Sequence, residues 1–174
     1  LLSFNVAASS ALVPSIARDF GVSEFLAGRI TWVYMLPYGC AALLYGPLVR
    51  RFDAKNIELA CVLGFSLANL LAALSGTLSM LFAGRFLMGV FGASVIPLAL
   101  ILIGRHCAPG QRGRHIGIFF SATFAASLAG LVLSGFIHWR FIFLIPAIAG
   151  LFLCLPMIFF LPSFATGIQR FSVN

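Results

Sequence analysis

The sequence predicts an all-α membrane protein of six transmembrane helices. Three observations carry this. The composition is 61% hydrophobic and only 9% charged; mean hydropathy is +1.10; and the few charges punctuate long uncharged runs. A soluble domain is roughly 45–50% apolar and about 25% charged, so 174 residues of this composition hold too little polar side chain to cover an aqueous surface. Nineteen phenylalanines suit a surface that meets hydrocarbon.

Each segment follows from the charges that bound it. Leu1 to Ala17 carries none ahead of Arg18, and Ile30 to Val49 lies between Arg29 and Arg50. Leu59 to Gly84 is a third run, divided by Ser75, Gly76, Thr77 and Ser79 into the end of one helix and the start of the next. Phe86 to Gly104, Ile116 to Ile137 and Phe141 to Gln169 complete the set. A helix rising about 1.5 Å per residue needs about 20 residues to cross a core of roughly 30 Å. The expected spans are therefore 1–17, 30–49, 57–74, 80–104, 116–137 and 141–161, with 162–174 as a cytoplasmic tail or the opening of a linker. The first span is short. With no initiator Met, basic n-region or cleavage site, it reads as a chain entered inside its first hydrophobic segment rather than as a signal peptide.

The net charge is +7, but the basic residues form no stripe with interleaved aromatics, so nucleic acid is excluded as a partner. They sit in loops instead. Loops 2–3 and 4–5 hold Arg50, Arg51, Lys55, Arg105, Arg112 and Arg114, against Arg18, Arg29 and Arg140 on the opposite side. The positive-inside bias then puts those two loops and both termini in the cytoplasm of a cell membrane. The four cysteines show no paired spacing that suggests a disulfide framework or zinc site. There is no Ser–His pair at mid-depth and no His/Asp cluster, so the chain reads as no enzyme, with no metal and no cofactor.

Few residues inside the spans carry chemistry. Arg85 lies about two turns into segment 4 with uncharged sequence around it. A guanidinium in the bilayer costs a few kcal/mol and normally faces a cavity or a partner; its ordinary alternative is to snorkel to the interface. Gly89 and Gly92 follow on its face. Asn5 and Asn69 are among the remaining polar groups, for which interhelical hydrogen bonding is the ordinary explanation. No Asp or Glu falls inside a span by this reading: Glu58 opens segment 3 and Asp53 lies in the loop. Small residues in segment 5 step by four, Gly117–Ser121–Ala125 and Ala126–Gly130–Ser134, with Gly135 next; that spacing predicts close helix packing.

Several of these stretches resemble landmarks of one family. Gly46-Pro47-Leu48-Val49-Arg50-Arg51-Phe52-Asp53-Ala54-Lys55 is similar to the G-x-L-x-D-R-x-G-R-K loop of the major facilitator superfamily. Arg85-Phe86-Leu87-Met88-Gly89-Val90-Phe91-Gly92-Ala93 resembles its segment-4 signature. Arg112-Gly113, Trp139-Arg140-Phe141-Ile142-Phe143 and Leu12 to Phe20 resemble landmarks of its drug-exporter branches. The resemblance covers the whole chain as the amino-terminal six-helix half, built from two inverted three-helix repeats. It implies secondary transport of a small molecule, such as drug or metabolite efflux, by alternating access, with a second six-helix half in the same chain and the bilayer as partners. It also implies that Arg85, Gly89, Gly92 and Asn5 line the cavity, and that Gly46, Arg50, Arg51, Asp53 and Lys55 form a gate loop.

The departures are specific. The loop's acidic position is Arg50 and its glycine is Asp53; the first-helix carboxylate of many drug exporters falls on Asn5; and the fifth-helix G-P-x-x-G-G is reduced to Gly130-Leu131-Val132-Leu133-Ser134-Gly135. They leave two other readings: a non-transporting scaffold or receptor-like paralogue, and a half-transporter that pairs with itself.

Overall fold

The computed structural model describes residues 1–160; the final residue of the sixth expected span and the expected tail, 162–174, lie outside them. Eight helices form six crossings. They are α1 (Leu2–Ala11), α2 (Val13–Phe20), α3 (Glu24–Arg51), α4 (Ala54–Ala73), α5 (Leu78–Gly92), α6 (Val95–His106), α7 (Pro109–Ser134) and α8 (Trp139–Phe160). α3, α4, α5 with α6, α7 and α8 give five crossings that are each long and apolar enough for a membrane. The remaining crossing is Leu2–Phe20, interrupted at Leu12.

The helix ends follow local chemistry and fall a few residues from the charge-based limits. Gly21, with φ +61, closes α2 in the left-handed region open to glycine. Ser23 Oγ then accepts from Leu26 N at 3.2 Å, and Thr77 Oγ1 accepts from Met80 N at 3.2 Å, so α3 and α5 start on capping side chains. Asp53 Oδ1 accepts from Lys55 N at 3.0 Å and caps α4. The aspartate that replaces the family's loop glycine thus has a local task.

The residues expected in the gate loop lie mostly on helix ends. α3 continues to Arg51 and α4 begins at Ala54, so Gly46, Arg50 and Arg51 belong to α3 and Lys55 to the first turn of α4. Only Phe52 and Asp53 connect the helices. The capping aspartate nucleates α4 where a glycine would leave the chain open.

Three of the four main helix pairings in the bundle are related by internal symmetry; the fourth, α4 on α5, has no equally close counterpart between α1 and α8. α1 packs on α7, α3 on α5, and α4 on α8. Exchanging the first three crossings with the last three maps the first of these pairs onto the second and returns the third, as inverted three-helix repeats require. The two crossings that open the repeats are both broken, at Leu12 ahead of Pro14 and at Ala93–Ser94 ahead of Pro97. A proline removes an amide donor and crowds the preceding turn, so each break sits where the ladder is weakest.

Glycines set the closest approaches. A Cβ on Gly130 would fall on the backbone of Phe4, and one on Gly89 would fall on the carbonyl of Tyr34 and on Pro37. These two residues let α7 meet α1 and α5 meet α3. The rest of the expected segment-5 packing set meets no neighbouring helix among the described residues. Gly117, Ser121 and Gly135 are exposed, and no other helix crowds Gly117 or Gly135. α7 is turned so that Gly130 meets α1, which leaves the Gly117–Ser121 face outward.

One end of the bundle is clamped by polar groups. Trp139, fully buried, donates from Nε1 to Asp19 Oδ2 at 2.7 Å, and His138 Nε2 lies 3.0 Å from the same oxygen. The Arg140 guanidinium donates to the carbonyls of Ala73 and Ser75 at 2.9 and 2.8 Å and lies 4.5 Å above the Trp139 ring. The ends of α2 and α4 are thereby fastened to the start of α8. Asp19→Ala orphans the buried indole N–H and is expected to lower stability by about 1–3 kcal/mol. Thermal unfolding of the purified protein in detergent checks this, and an unchanged midpoint would show the clamp to be idle.

Candidate functional site

Arg85 sits on α5 about two turns from the Trp139 end of the bundle, and its side chain is 1% exposed. It does not snorkel. Its Nε donates to Ile30 O at 3.3 Å on α3, and Nη1 donates to Asn5 Oδ1 at 2.5 Å on α1. The guanidinium lies 4.6 Å over the Tyr34 ring and 5.7 Å from Phe143 of α8. Asn5 in turn donates from Nδ2 to Asn69 Oδ1 at 2.8 Å on α4, and Asn69 donates to Phe65 O at 2.8 Å. Ser9 donates to Asn5 O at 2.7 Å, completing the hydrogen bonding around that turn of α1.

The chain Arg85–Asn5–Asn69 therefore runs through three crossings, and Ile30, Tyr34 and Phe143 add two more. Among the described residues no acid pairs with Arg85. Carbonyl and amide oxygens and aromatic faces balance the charge instead, by charge-assisted hydrogen bonds of roughly 1.5–3 kcal/mol each and a desolvated cation–π contact of about 2 kcal/mol. Asn5, at the position where many drug exporters carry a carboxylate, suits this arrangement because one amide both accepts from Arg85 and donates to Asn69.

The open space lies beside this network. A cleft of about 270 Å³ is lined by Ser3, Val6, Tyr34, Tyr38 and Ser127 among others. A larger one of about 330 Å³ is lined by Phe65, Phe91, Gly92, Phe120 and Thr123 among others. Gly92 is among the residues lining the larger cleft. Arg85, Asn5 and Gly89 do not line either cleft. Arg85 and Asn5 form the interior behind the wall, and Gly89 is a packing contact. The side chain that stands between Arg85 and the cleft is Tyr34, whose ring stacks on Tyr38 at 5.7 Å and whose buried hydroxyl has no hydrogen-bond partner. Tyr34 is not singled out by the sequence reading; its position four residues after Ile30 is the available signal.

A second polar group lies inside the bundle. Glu58 belongs to α4, one turn in from Ala54, and its Oε2 is buried inside the protein without a hydrogen-bond partner. The expectation that no span carries a carboxylate is corrected. Ala54, Ile57, Cys61 and Phe65 are all buried, and Glu58 falls within that helical stripe.

The sequence profile of the Major Facilitator Superfamily matches residues 1–171. The chain belongs to the major facilitator superfamily. Among curated superfamily relatives it is 33% identical over 133 residues to the puromycin resistance protein of Streptomyces alboniger, covering 74% of this chain and 26% of that protein. It is 30% identical to the tetracenomycin C resistance and export protein of Streptomyces glaucescens, covering 79% and 26%. It is 28% identical to a putative multidrug resistance protein of Pectobacterium carotovorum, covering 93% and 36%. The chain thus spans between a quarter and just over a third of these relatives' lengths. A solved structure of a mutant peptide transporter POT with alafosfalin shares the fold, with a TM-score of 0.64 at 20% identity over 91% of this chain and 35% of that one. The six-crossing bundle is therefore the superfamily's fold, and its likeness lies toward the drug-resistance branch.

Proposed function

We propose that this chain is the amino-terminal half of a secondary transporter that exports small, largely apolar compounds by alternating access. The observation that supports this most directly is the buried Arg85–Asn5–Asn69 network inside a superfamily bundle related to resistance proteins. It stiffens five crossings against one another, while the wall of the adjacent clefts is aromatic with a few hydroxyls. Such walls suit amphipathic cargo whose orientation a small number of polar groups fixes. Tyr34, Tyr38, Ser3 and Ser127 face the cargo; Arg85 and Asn5 hold Tyr34 and α1 in place behind them.

On this reading a second six-helix unit covers the outward faces of α3 and α7. Large apolar side chains such as Leu43, Leu44, Phe124 and Leu128 are exposed there, and the Gly117–Ser121 surface offers the close approach that helix packing in lipid uses. Loops 2–3 and 4–5 face the cytoplasm, where Arg51 and Lys55 take the place of the family's gate signature. The test is drug tolerance of cells lacking their own exporters. Expression of the protein should raise tolerance to puromycin or other lipophilic antibiotics, and Tyr34→Ala should erase the gain with the protein still in the membrane. Full tolerance in Tyr34→Ala would remove the cleft from the transport path.

A further inference from the structure

The end of the bundle where α2, α4 and α8 meet holds an imidazole that the transport reading does not use. His138 stands immediately before α8. The Arg140 N–H is one of that helix's first amides and has no carbonyl of its own helix to bond. It donates instead to His138 Nδ1 at 3.3 Å. An imidazole nitrogen that accepts carries no proton, so the neutral ring bears its hydrogen on Nε2. That N–H meets Asp19 Oδ2, 3.0 Å away on α2, beside the 2.7 Å bond from Trp139 Nε1 to the same oxygen. The neutral ring thus joins the first turn of α8 to α2 through both of its nitrogens.

The charged residues that meet this ring among the described residues are Asp19 on α2 and Arg140 on α8. α4 and the turn after it contribute the carbonyls of Ala73 and Ser75, which the Arg140 guanidinium occupies. The His138 side chain is 43% exposed, so water delivers protons to it. Protonation cannot leave the arrangement as it is. An imidazolium donates from both nitrogens and accepts at neither, so Nδ1–H would face the Arg140 N–H. Its charge also stands at a helix N-terminus, the end that disfavours cations. On the other side, the bond to Asp19 becomes charge-assisted and stronger.

We propose that His138 is a pH-responsive cap on α8. Neutral, it holds the Arg140 amide and Asp19 together. Protonated, it keeps Asp19 and releases the amide, so the first turn of α8 loosens while its tie to α2 tightens. One proton passes from water to Nδ1 and back, and no other covalent bond changes. The residue released is the one whose guanidinium fastens α8 to the end of α4, which puts that junction under the control of pH at this face of the membrane.

This goes beyond the transport reading and needs no cargo. Failure of the test leaves the Arg85 and Tyr34 reading intact, and a chain that exports nothing can still pass it. The full-length protein is studied in lipid nanodiscs. Nitrogen NMR of histidine-labelled protein, with His138→Asn identifying the resonances, should show the Nε2–H tautomer when the ring is neutral; the Nδ1–H tautomer overturns the proposal. Amide hydrogen exchange of peptides covering 138–142, corrected for intrinsic rates, reads the cap. Wild type should exchange about two- to tenfold faster as pH falls from about 8 to about 5, the span in which imidazoles titrate and the effect that one lost hydrogen bond produces. His138→Asn keeps a capping oxygen at every pH, so it should fold and lose the step. A flat wild-type profile, or a step that persists in His138→Asn, overturns the proposal.

Discussion

Replacing Arg85 with alanine is expected to lower export at least tenfold while the protein stays folded in the membrane. The balance of terms decides this. The substitution removes charge-assisted hydrogen bonds to Asn5 and Ile30, roughly 1.5–3 kcal/mol each, and the contact with Tyr34, about 2 kcal/mol. It also removes a buried charge whose desolvation costs a few kcal/mol or more. These contributions oppose one another, so the net stability change is a small difference and membrane abundance survives. Position is what fails: Asn5 loses its acceptor's partner, Tyr34 loses the plane it packs on, and the cleft wall relaxes. A misplacement worth about 1.4 kcal/mol in the transport barrier is already tenfold in rate. Arg85→Lys is expected not to rescue, because an ammonium cannot reach Ile30 O and Asn5 Oδ1 at once while lying flat on Tyr34. Accumulation of puromycin in cells, normalised to membrane abundance by immunoblot, checks both variants. Normal export in Arg85→Ala would remove the network from function.

Gly130→Val is expected to have the largest structural effect of any single glycine change. The added carbons fall on the Phe4 carbonyl, carbon and Cα, which are backbone atoms that cannot swing aside. α7 must then part from α1 at Phe4, the residue next to Asn5, which holds Arg85. Overpacking of this kind costs typically 1–3 kcal/mol, and here it also disturbs the network. Gly104→Ala is the matched control: nothing lies near its Cβ position, and alanine is the better helix former by about 1 kcal/mol. Thermal unfolding in detergent should separate the two, with Gly130→Val lower and Gly104→Ala unchanged or higher. Equal midpoints would contradict the packing of α7 on α1.

These effects show what a linear reading can and cannot supply. The crossings were legible because a charge in lipid is costly, so Arg18, Arg29, Arg50 and Arg105 mark span ends almost unaided. Arg85 stood out by the same rule, as the charge with no loop to explain it. Its counterparts were not legible. Asn5, Asn69, Ile30 and Tyr34 lie 80, 16, 55 and 51 residues away in sequence, and only the pairing of α1, α3 and α4 around α5 brings them together. The small-residue steps in segment 5 gave a helix face but not its direction: Ala126 and Gly130 meet neighbours within this bundle, while Gly117 and Ser121 are exposed. Glu58 was lost through a boundary. It was placed at the opening of its span; α4 begins one turn before it, at Ala54, and its Oε2 is buried.

Energy-dependent export tests the central claim most directly. Intracellular accumulation of a panel of lipophilic compounds, puromycin included, is measured in energised cells with and without the protein, before and after a protonophore. A secondary exporter lowers the accumulation of at least one compound, and collapsing the proton gradient restores it. Accumulation that never depends on the protein, or a reduction that survives the protonophore, would contradict the account.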